Sequence, residues 1–281
     1  ATNCSFFICS EACRRNLAIL TVNGGGLSLN SHDSHTALSN NLFLIGFINV
    51  ASQSGDQQGS QDGQDDQNHD QLDQGKTACS GFIYAIAAAH GLLNTLGGRY
   101  ALVIGCEALS RMVDPTDRTT CVLFGDGAGA AILELAEDVP FAVTLGARGS
   151  EAIRVGGPGD TPSHIHMDGK AVFRFAVETM PRCLQTVLER SQKTLADLDW
   201  VVCHQANSRI IDHCIKHLHA EPSKFYKNMD RHGNTSAASI PIALHEMVEN
   251  DLLHPGQTLA CIGFGGGLTW GGMLLTYEGR K

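Results

Sequence analysis

Thr77-Ala78-Cys79-Ser80-Gly81-Phe82 runs directly into the apolar stretch Ile83 to Leu96, and this junction constrains the chain more than any other. The stretch is rich in Ala and Leu. Phe82, Ile86, Ala89 and Leu93 recur at three- and four-residue spacing, which predicts a mostly buried helix of about four turns. Cys79 falls at its N-terminal end, where unpaired N–H groups and the positive end of the helix dipole favour a thiolate. Small neighbours leave the sulfur approachable. Cysteine is also among the most commonly buried residue types, so this position by itself fits a packing residue as well as a nucleophile.

Three further stretches bear on that choice. Val201-Val202-Cys203-His204-Gln205-Ala206-Asn207 reads as a short apolar strand that delivers His204 at its end. Arg231 to Ser239 is a Gly-led loop that presents Asn234 and feeds a small-residue helix. Gly263 to Gly271 is a glycine loop between apolar runs, where backbone can approach a substrate closely. Each alone is more often structural. Cys, His, Asn and bare backbone N–H groups in one chain form a set suited to acyl transfer.

Around these stretches strands and helices alternate. Arg99 to Cys106 reads as a buried strand ending at Glu107, and Val122–Phe124 and Ala128–Leu133 as two strands around a tight Gly125-Asp126-Gly127 hairpin turn. Pro158 to Ser163 is a Gly- and Pro-rich loop suited to a boundary. Lys170 to Arg190 is helical, with an apolar stripe of Phe173, Val177, Leu184 and Leu188. Asn207–Leu218 and Ser236–Asn250 are further helices, and Gln257–Phe264 is a buried strand. The alternation predicts a layered α/β architecture with its chemistry at strand ends and helix starts.

Seven stretches occur in one order: ACSGF at Ala78, Ser110-Arg111 with Asp114-Pro115-Thr116-Asp117-Arg118, LFGDGAGAAIL from Leu123 to Leu133, VFRFAV from Val172, HQANSRIID, HGNTSAASIP and GFGGGLTWG. On these motifs the chain, from about Thr77 onward, resembles the β-ketoacyl-acyl-carrier-protein synthases of type III. The resemblance implies a thiolase-like layered αβαβα fold whose N-terminal half is here incomplete or replaced. It divides the chain into an unmatched segment 1–75, a remainder of the N-terminal half at 76–157 carrying the nucleophile, and a C-terminal half at 158–281. It also implies an acyltransferase that starts fatty-acid synthesis by decarboxylative condensation of an acyl-coenzyme A, acetyl-coenzyme A first, with malonyl-acyl carrier protein. Cys79, His204 and Asn234 would be catalytic, with the backbone N–H groups of Cys79 and Gly266 as oxyanion hole. Arg118 and Asn207 would contact coenzyme A, and Arg209, Arg174 and Lys216 would dock acyl carrier protein. A homodimer, no cofactor and no metal are implied. The alternatives are a polyketide- or alkylquinolone-type condensing enzyme and a non-catalytic remnant.

The rest of the sequence bounds these expectations. Lys and Arg total 20 against 29 Asp and Glu, with no basic block, which argues against nucleic acid as partner. The ten cysteines show no paired metal spacing; Cys4, Cys9 and Cys13 come closest. Most read as reduced and buried, which fits a cytoplasmic protein. Phe6–Ile8 and Leu42–Val50 are apolar runs too short to span a bilayer, and Leu17–Val22 suits a strand. Between Ser52 and Gln74 the composition collapses to Gln, Asp, Gly, Ser and Asn, which predicts disorder where the family has a buried strand. No counterpart of the N-terminal Trp and Arg that clasp the adenine is recognisable. The segment before Lys76 therefore reads as a translation artefact or a fused foreign piece, and loss of a central strand predicts an exposed apolar sheet edge.

Overall fold

The computed structural model describes residues 79–136, 139–155 and 164–279, and before them the backbone of four strands. Those four are β1 (Asn3–Ile8), β2 (Leu20–Asn23), β3 (Gly26–Leu29) and β4 (Leu42–Ile48). Next come α1 (Gly81–Leu96), β5 (Tyr100–Glu107), β6 (Gly127–Ala136) and β7 (Ala142–Ala147). The short strands β8 (Ile153–Arg154) and β9 (His166–Met167) pair with each other. They lead into α2 (Gly169–Arg190), β10 (Trp200–Cys203) and α3 (Ser208–His217). The chain closes with α4 (Met229–His232), α5 (Ser239–Glu249), β11 (Thr258–Gly265) and β12 (Thr269–Tyr277).

The main sheet has the order β10-β11-β12-β1-β6-β5-β4, with β7 on β12. One three-strand pattern occurs twice: β10 is parallel to β11, which is antiparallel to β12, and β4 is parallel to β5, which is antiparallel to β6. β1 joins the two, parallel to β12 and antiparallel to β6.

Period-two alternation sorts the strand side chains to two cores. Val202, Leu259, Cys261, Met273 and Leu275 join α1 and α5 in one core, with Ala101 and Val103 of β5 and Ala131 and Leu133 of β6. Val201, Cys203, Ala260, Ile262 and Leu274 point the other way, into a second core under α2 and α3. The helix α1 touches β4, β5 and β6 as well as β11 and β12, so it lies between two sheet regions. Its buried residues are Phe82, Ile83, Ala85, Ile86, Ala89 and Leu93, while Leu92 and Leu96 of the same helix are exposed. The layers run from α2 and α3 through β10–β12, then α1 and α5, to β4–β6. Leu102, Ile104 and Cys106, on the outer face of β5, are half-buried, and among the described residues no helix covers that face.

Helix ends follow local chemistry. Gly97 ends α1 at φ 69°, its N–H bonded to Leu93 O. Asp168 caps α2 by accepting from Lys170 N and Ala171 N, both at 3.0 Å.

Several expectations change. β4 pairs with β5 from Leu42↔Tyr100 to Ile48↔Cys106, so the edge predicted to be bare is occupied by a strand from the unmatched segment. Val122–Phe124 is not a strand, and Gly125-Asp126-Gly127 is not a hairpin turn. Phe124 bridges Asn234, with Gly125 N donating to Asn234 O at 3.0 Å and Asn234 N to Leu123 O at 2.8 Å. A tertiary pairing has overridden the local turn preference, and β6 pairs with β5 instead. Ser236–Ala238 forms a separate 3₁₀ turn ahead of α5, with Ser236 at φ 50°. Phe173 leaves the apolar stripe of α2, at 37% exposure. The tract 52–74, Cys9, Cys13 and the boundary loop 158–163 lie outside the described residues.

Candidate active site

Cys79 precedes α1 in a tight turn, and Ser80 Oγ lies 2.8 Å from Thr269 Oγ1 at the start of β12. Thr269 Oγ1 in turn donates to Gly266 O at 3.2 Å. These bonds clamp the cysteine turn onto the β11–β12 glycine loop. Gly265 is pressed against it: a Cβ there would lie 2.5 Å from Cys79 N. Only glycine permits that approach.

His204 follows β10, its backbone N–H donating to Ile262 O at 2.7 Å, and its ring meets Phe264 edge-on at 5.6 Å. Nδ1 lies 2.7 Å from Ser239 Oγ at the start of α5. Ser239 Oγ accepts from Gln205 N at 3.4 Å, which leaves its own hydrogen to donate to Nδ1. With that hydrogen donated to Nδ1 the ring proton sits on Nε2, which is buried without a partner. Burial holds the imidazole down at about 3, so it is neutral across ordinary pH.

Asn234 sits at the crossing with Phe124. Its Oδ1 accepts from Ser236 N at 2.9 Å, which leaves the side-chain NH₂ for other partners. The loop before it is anchored by Glu246, which accepts from Asn228 Nδ2 at 2.6 Å and Arg231 Nη2 at 3.1 Å and meets His232 Nε2 at 2.7 Å. Burial opposes ionisation of Glu246, yet bonds from Arg231, His232 and Asn228 hold its carboxyl down at about 2.

A cleft of about 190 Å³ has Cys79, His204 and Asn234 on its walls, with Asn207, Phe173 and Gly265. Most of the remaining wall is apolar: Leu123, Phe124, Ile153, Met167, Val172, Ile210 and Phe264. A small, largely apolar cleft with a thiol on its wall suits an apolar group carrying a reactive carbonyl.

The other candidate residues are placed less uniformly. Asn207 lines the cleft while its Oδ1 caps α3 by accepting from Arg209 N at 2.9 Å. Arg118 is exposed beside Thr119, which lines the cleft. Arg174 is exposed next to Phe173, and Arg209 and Lys216 are exposed two turns apart on α3. Gly266 is buried behind Gly265 and does not line the cleft.

The thiolate expected of Cys79 is corrected. The residue is only 6% exposed, and burial pushes the thiol up to about 12, against the pull of the Ser236 hydroxyl and with a further push from Glu107. Desolvation outweighs the helix terminus, and the resting sulfur is a thiol. Sequence reasoning also passed over Ser236, Ser239 and Glu107. The signal for Glu107 was present, as an acid closing a buried apolar strand.

A layered α/β core that presents a thiol, a neutral imidazole and a carboxamide to one apolar cleft defines a thiolase-like protein. Comparison with known proteins narrows this. The model for 3-oxoacyl-[acyl-carrier-protein] synthase III matches residues 74–149, and that for its C-terminal region matches residues 188–277. The chain is 43% identical over 214 residues to the β-ketoacyl-[acyl-carrier-protein] synthase III of Clostridium novyi, covering 72% of this chain and 66% of that one. The solved structure of the same enzyme from Thermus thermophilus superposes with a TM-score of 0.68 at 37% identity, covering 72% of this chain and 67% of that one. The priming β-ketosynthase of the R1128 polyketide biosynthetic pathway superposes at 0.67 with 32% identity, covering 72% and 64%. The chain belongs to the 3-oxoacyl-[acyl-carrier-protein] synthase III family. It spans about 66% of the length of the curated relatives it matches.

Proposed function

We propose that the chain is an acyltransferase that condenses an acyl-coenzyme A, acetyl-coenzyme A first, with malonyl-acyl carrier protein to give 3-oxoacyl-acyl carrier protein and carbon dioxide. The observation that carries this reading is the convergence of Cys79, His204 and Asn234 on one largely apolar cleft.

In the first half-reaction the Cys79 sulfur, once deprotonated, attacks the acyl thioester. The coenzyme A thiolate leaves and takes up a proton, and the acyl group stays on sulfur. Backbone N–H groups of Cys79 and Gly266 would receive the oxyanion, and loss of one such donor costs about 2–4 kcal/mol of barrier. In the second, the malonyl thioester loses carbon dioxide, and its enolate carbon attacks the acyl-enzyme and expels the Cys79 sulfur. Neutral His204, donating from Nε2, and the Asn234 NH₂ would hold the enolate oxygen. Neither needs to change protonation state.

Arg118 and Asn207 would contact coenzyme A, and the exposed Arg174 and Arg209, neighbours of the cleft residues Phe173 and Ile210, with Lys216 two turns along α3, would steer an acidic carrier protein. A cytoplasmic homodimer, with no cofactor beyond the thioester substrates, completes the reading. The polyketide-priming relative supports a second version, the same chemistry on a different starter acyl group.

Intact-protein mass after incubation with acetyl-coenzyme A tests the proposal. The expected result is a gain of one acetyl group, absent from Cys79→Ser. A soluble, folded chain that gains nothing would favour a non-catalytic remnant.

A further inference from the structure

We infer that Glu246 is a positioning residue: from the far end of α5 it fixes Asn234 relative to His204, so that its loss slows the step that uses both donors and spares the step at Cys79.

The two donors reach the cleft from elements far apart in the chain. His204 follows β10, and Asn234 follows α4 after Gly233 alone. The Asn234 backbone is bonded to Leu123 and Gly125, which holds it against that loop but not against His204. α5 supplies the common reference. Ser239 at its start lies 2.7 Å from His204 Nδ1, and Glu246 follows seven residues later on the same helix. Seven residues make two turns, which places both side chains on one face, about 10 Å apart along the axis. Ile240, Ala243, Leu244 and Met247 bury α5 in the core, so the helix cannot slide to change that spacing.

Glu246 grips the segment leading to Asn234 at Tyr226, Asn228, Arg231 and His232. Its Oε2 accepts from Asn228 Nδ2 at 2.6 Å, Arg231 Nη2 at 3.1 Å and Tyr226 Oη at 3.3 Å. Its Oε1 meets His232 Nε2 at 2.7 Å and accepts from Arg231 Nε at 3.4 Å. Bonds to an ionised acceptor are the stronger and more directional kind. Burial works against the charge, yet the bonds from Arg231, His232 and Asn228 outweigh it and keep the carboxylate. Little slack remains beyond His232. Gly233 N donates to Met229 O at 2.9 Å, and a Cβ on Gly125 would lie 2.2 Å from His232 O. A shift of His232 is therefore passed to the crossing that carries Asn234.

A second tie closes the frame. Gln205, next to His204 and 1% exposed, donates from Nε2 to Cys203 O at 2.8 Å and to Tyr226 O at 3.1 Å, and its Oε1 accepts from Asn228 N at 3.0 Å. Asn228 is thus held through its backbone by Gln205 and through its side chain by Glu246. The bonds form a circuit from His204 through Ser239, α5, Glu246 and Asn228 back to Gln205. Neither Glu246 nor Gln205 lines the cleft, so both act through the donors they hold. An ordinary surface ion pair would need only Arg231; four residues converging on one carboxylate is the arrangement that fixes a position.

This rests on His204 and Asn234 sharing the enolate oxygen in the proposed reaction. Glu246→Gln is the test, because in either orientation the new NH₂ faces an Arg231 N–H. Two readouts are taken: amide hydrogen exchange of peptides spanning 226–234, which needs no substrate, and the rates of the two half-reactions. Exchange should quicken in that segment alone. Carbon dioxide release at saturating malonyl-acyl carrier protein should fall on the order of a hundredfold, the cost of about 1 Å of misplacement, while acetylation of Cys79 by acetyl-coenzyme A keeps the parent's rate. Equal losses in the two half-reactions would mean general loosening of the fold and would overturn the inference; so would unchanged exchange or unchanged carbon dioxide release. If the Gln protein fails to fold, Arg231→Met removes two of the bonds at an exposed side chain and must show the same split in smaller measure. Saturation keeps any loss of carrier docking out of that comparison. A parent inert in both half-reactions would overturn the proposed function, and the exchange of the segment would then decide alone whether Glu246 holds it.

Discussion

The closest constraint on the site is backbone against backbone, and Gly265→Ala tests it. The added Cβ would sit 2.5 Å from Cys79 N, 2.9 Å from Cys79 Cβ and 3.1 Å from Cys79 Cα. Ordinary contact needs nearly an ångström more on the nitrogen side, and no flexible side chain is there to yield. Either β11 or the Cys79 turn must move. Overpacking of this kind costs about 1–3 kcal/mol of stability, which for a domain of this size is roughly 2–4 °C of melting temperature per kcal/mol. Displacement of a reacting atom by about 1 Å costs on the order of a hundredfold in rate. Acetyl-enzyme formation followed by mass, beside a thermal melt, measures both. Gly91→Ala is the control on the same region: it lies inside α1 with nothing within 4 Å of its would-be Cβ, so it should raise stability by about 0.5–1 kcal/mol. A Gly265→Ala protein with the parent's melting temperature and acylation rate would refute the reasoning.

Three other outcomes follow from the same geometry. His204 has its folded value at about 3, below the usual 6.5, so its stabilisation is present above pH 6.5 and lost as pH falls towards 3. Glu107, raised from 4.5 to about 7, contributes fully below pH 4.5 and loses that contribution as pH rises through 7. Between about pH 4.5 and 6.5 the two oppose each other with slopes of up to about 1.4 kcal/mol per unit, so melts of His204→Gln and Glu107→Gln across that window should tilt in opposite directions; parallel slopes would contradict both assignments. Ser239→Ala leaves His204 Nδ1 without its partner, at about 1–3 kcal/mol, and, if Ser239 is what holds the ring proton on Nε2, should slow malonyl decarboxylation more than acylation, with the ¹⁵N signals of the ring moving towards mixed tautomers; equal losses in the two steps would count against the tautomer argument. Arg209→Glu reverses an exposed charge and should weaken use of carrier protein while sparing acyl transfer from coenzyme A; equal losses in the two assays would rule out a docking role.

What could be read from the chain divides along the range of the forces involved. α1, α2, α3, β5 and β11 announce themselves because a helix or strand buried on a fixed face repeats its apolar residues at a fixed period, and their ends carry local chemistry such as Asn207 or Gly97. Cys79, His204 and Asn234 were legible through the motifs around them. The Phe124–Asn234 crossing was not: Gly125-Asp126-Gly127 carries a good turn signal, and only the docking of a distant loop overrides it. β4 was hidden for a different reason. Its apolar run is plain in the sequence, but the polar tract that follows argued against any contribution to the sheet, and strand pairing depends on the free edge of β5, which lies far along the chain.

The electrostatic character of the site is the part that no pattern of residue types could supply. A cysteine at a helix start predicts a thiolate, and the inference holds wherever the sulfur stays wet. Here α1 is covered by sheet on two sides and Gly265 closes over the cysteine turn, so the packing that makes the cleft narrow also removes the water that would stabilise the anion. The same burial keeps His204 neutral and drives Glu107 up to about 7. One cause therefore produces three consequences: an imidazole that stays neutral, a carboxyl held near neutrality, and a cysteine held as its thiol. Opening the site should undo them together. Phe264 packs edge-on against His204 and lines the cleft; with Phe264→Ala, water would enter, the imidazole should titrate closer to 6.5, and Cys79 should be alkylated faster by iodoacetamide at neutral pH. If the ring titrates normally while Cys79 alkylation stays as slow as in the parent, solvent exclusion is not what holds both groups uncharged.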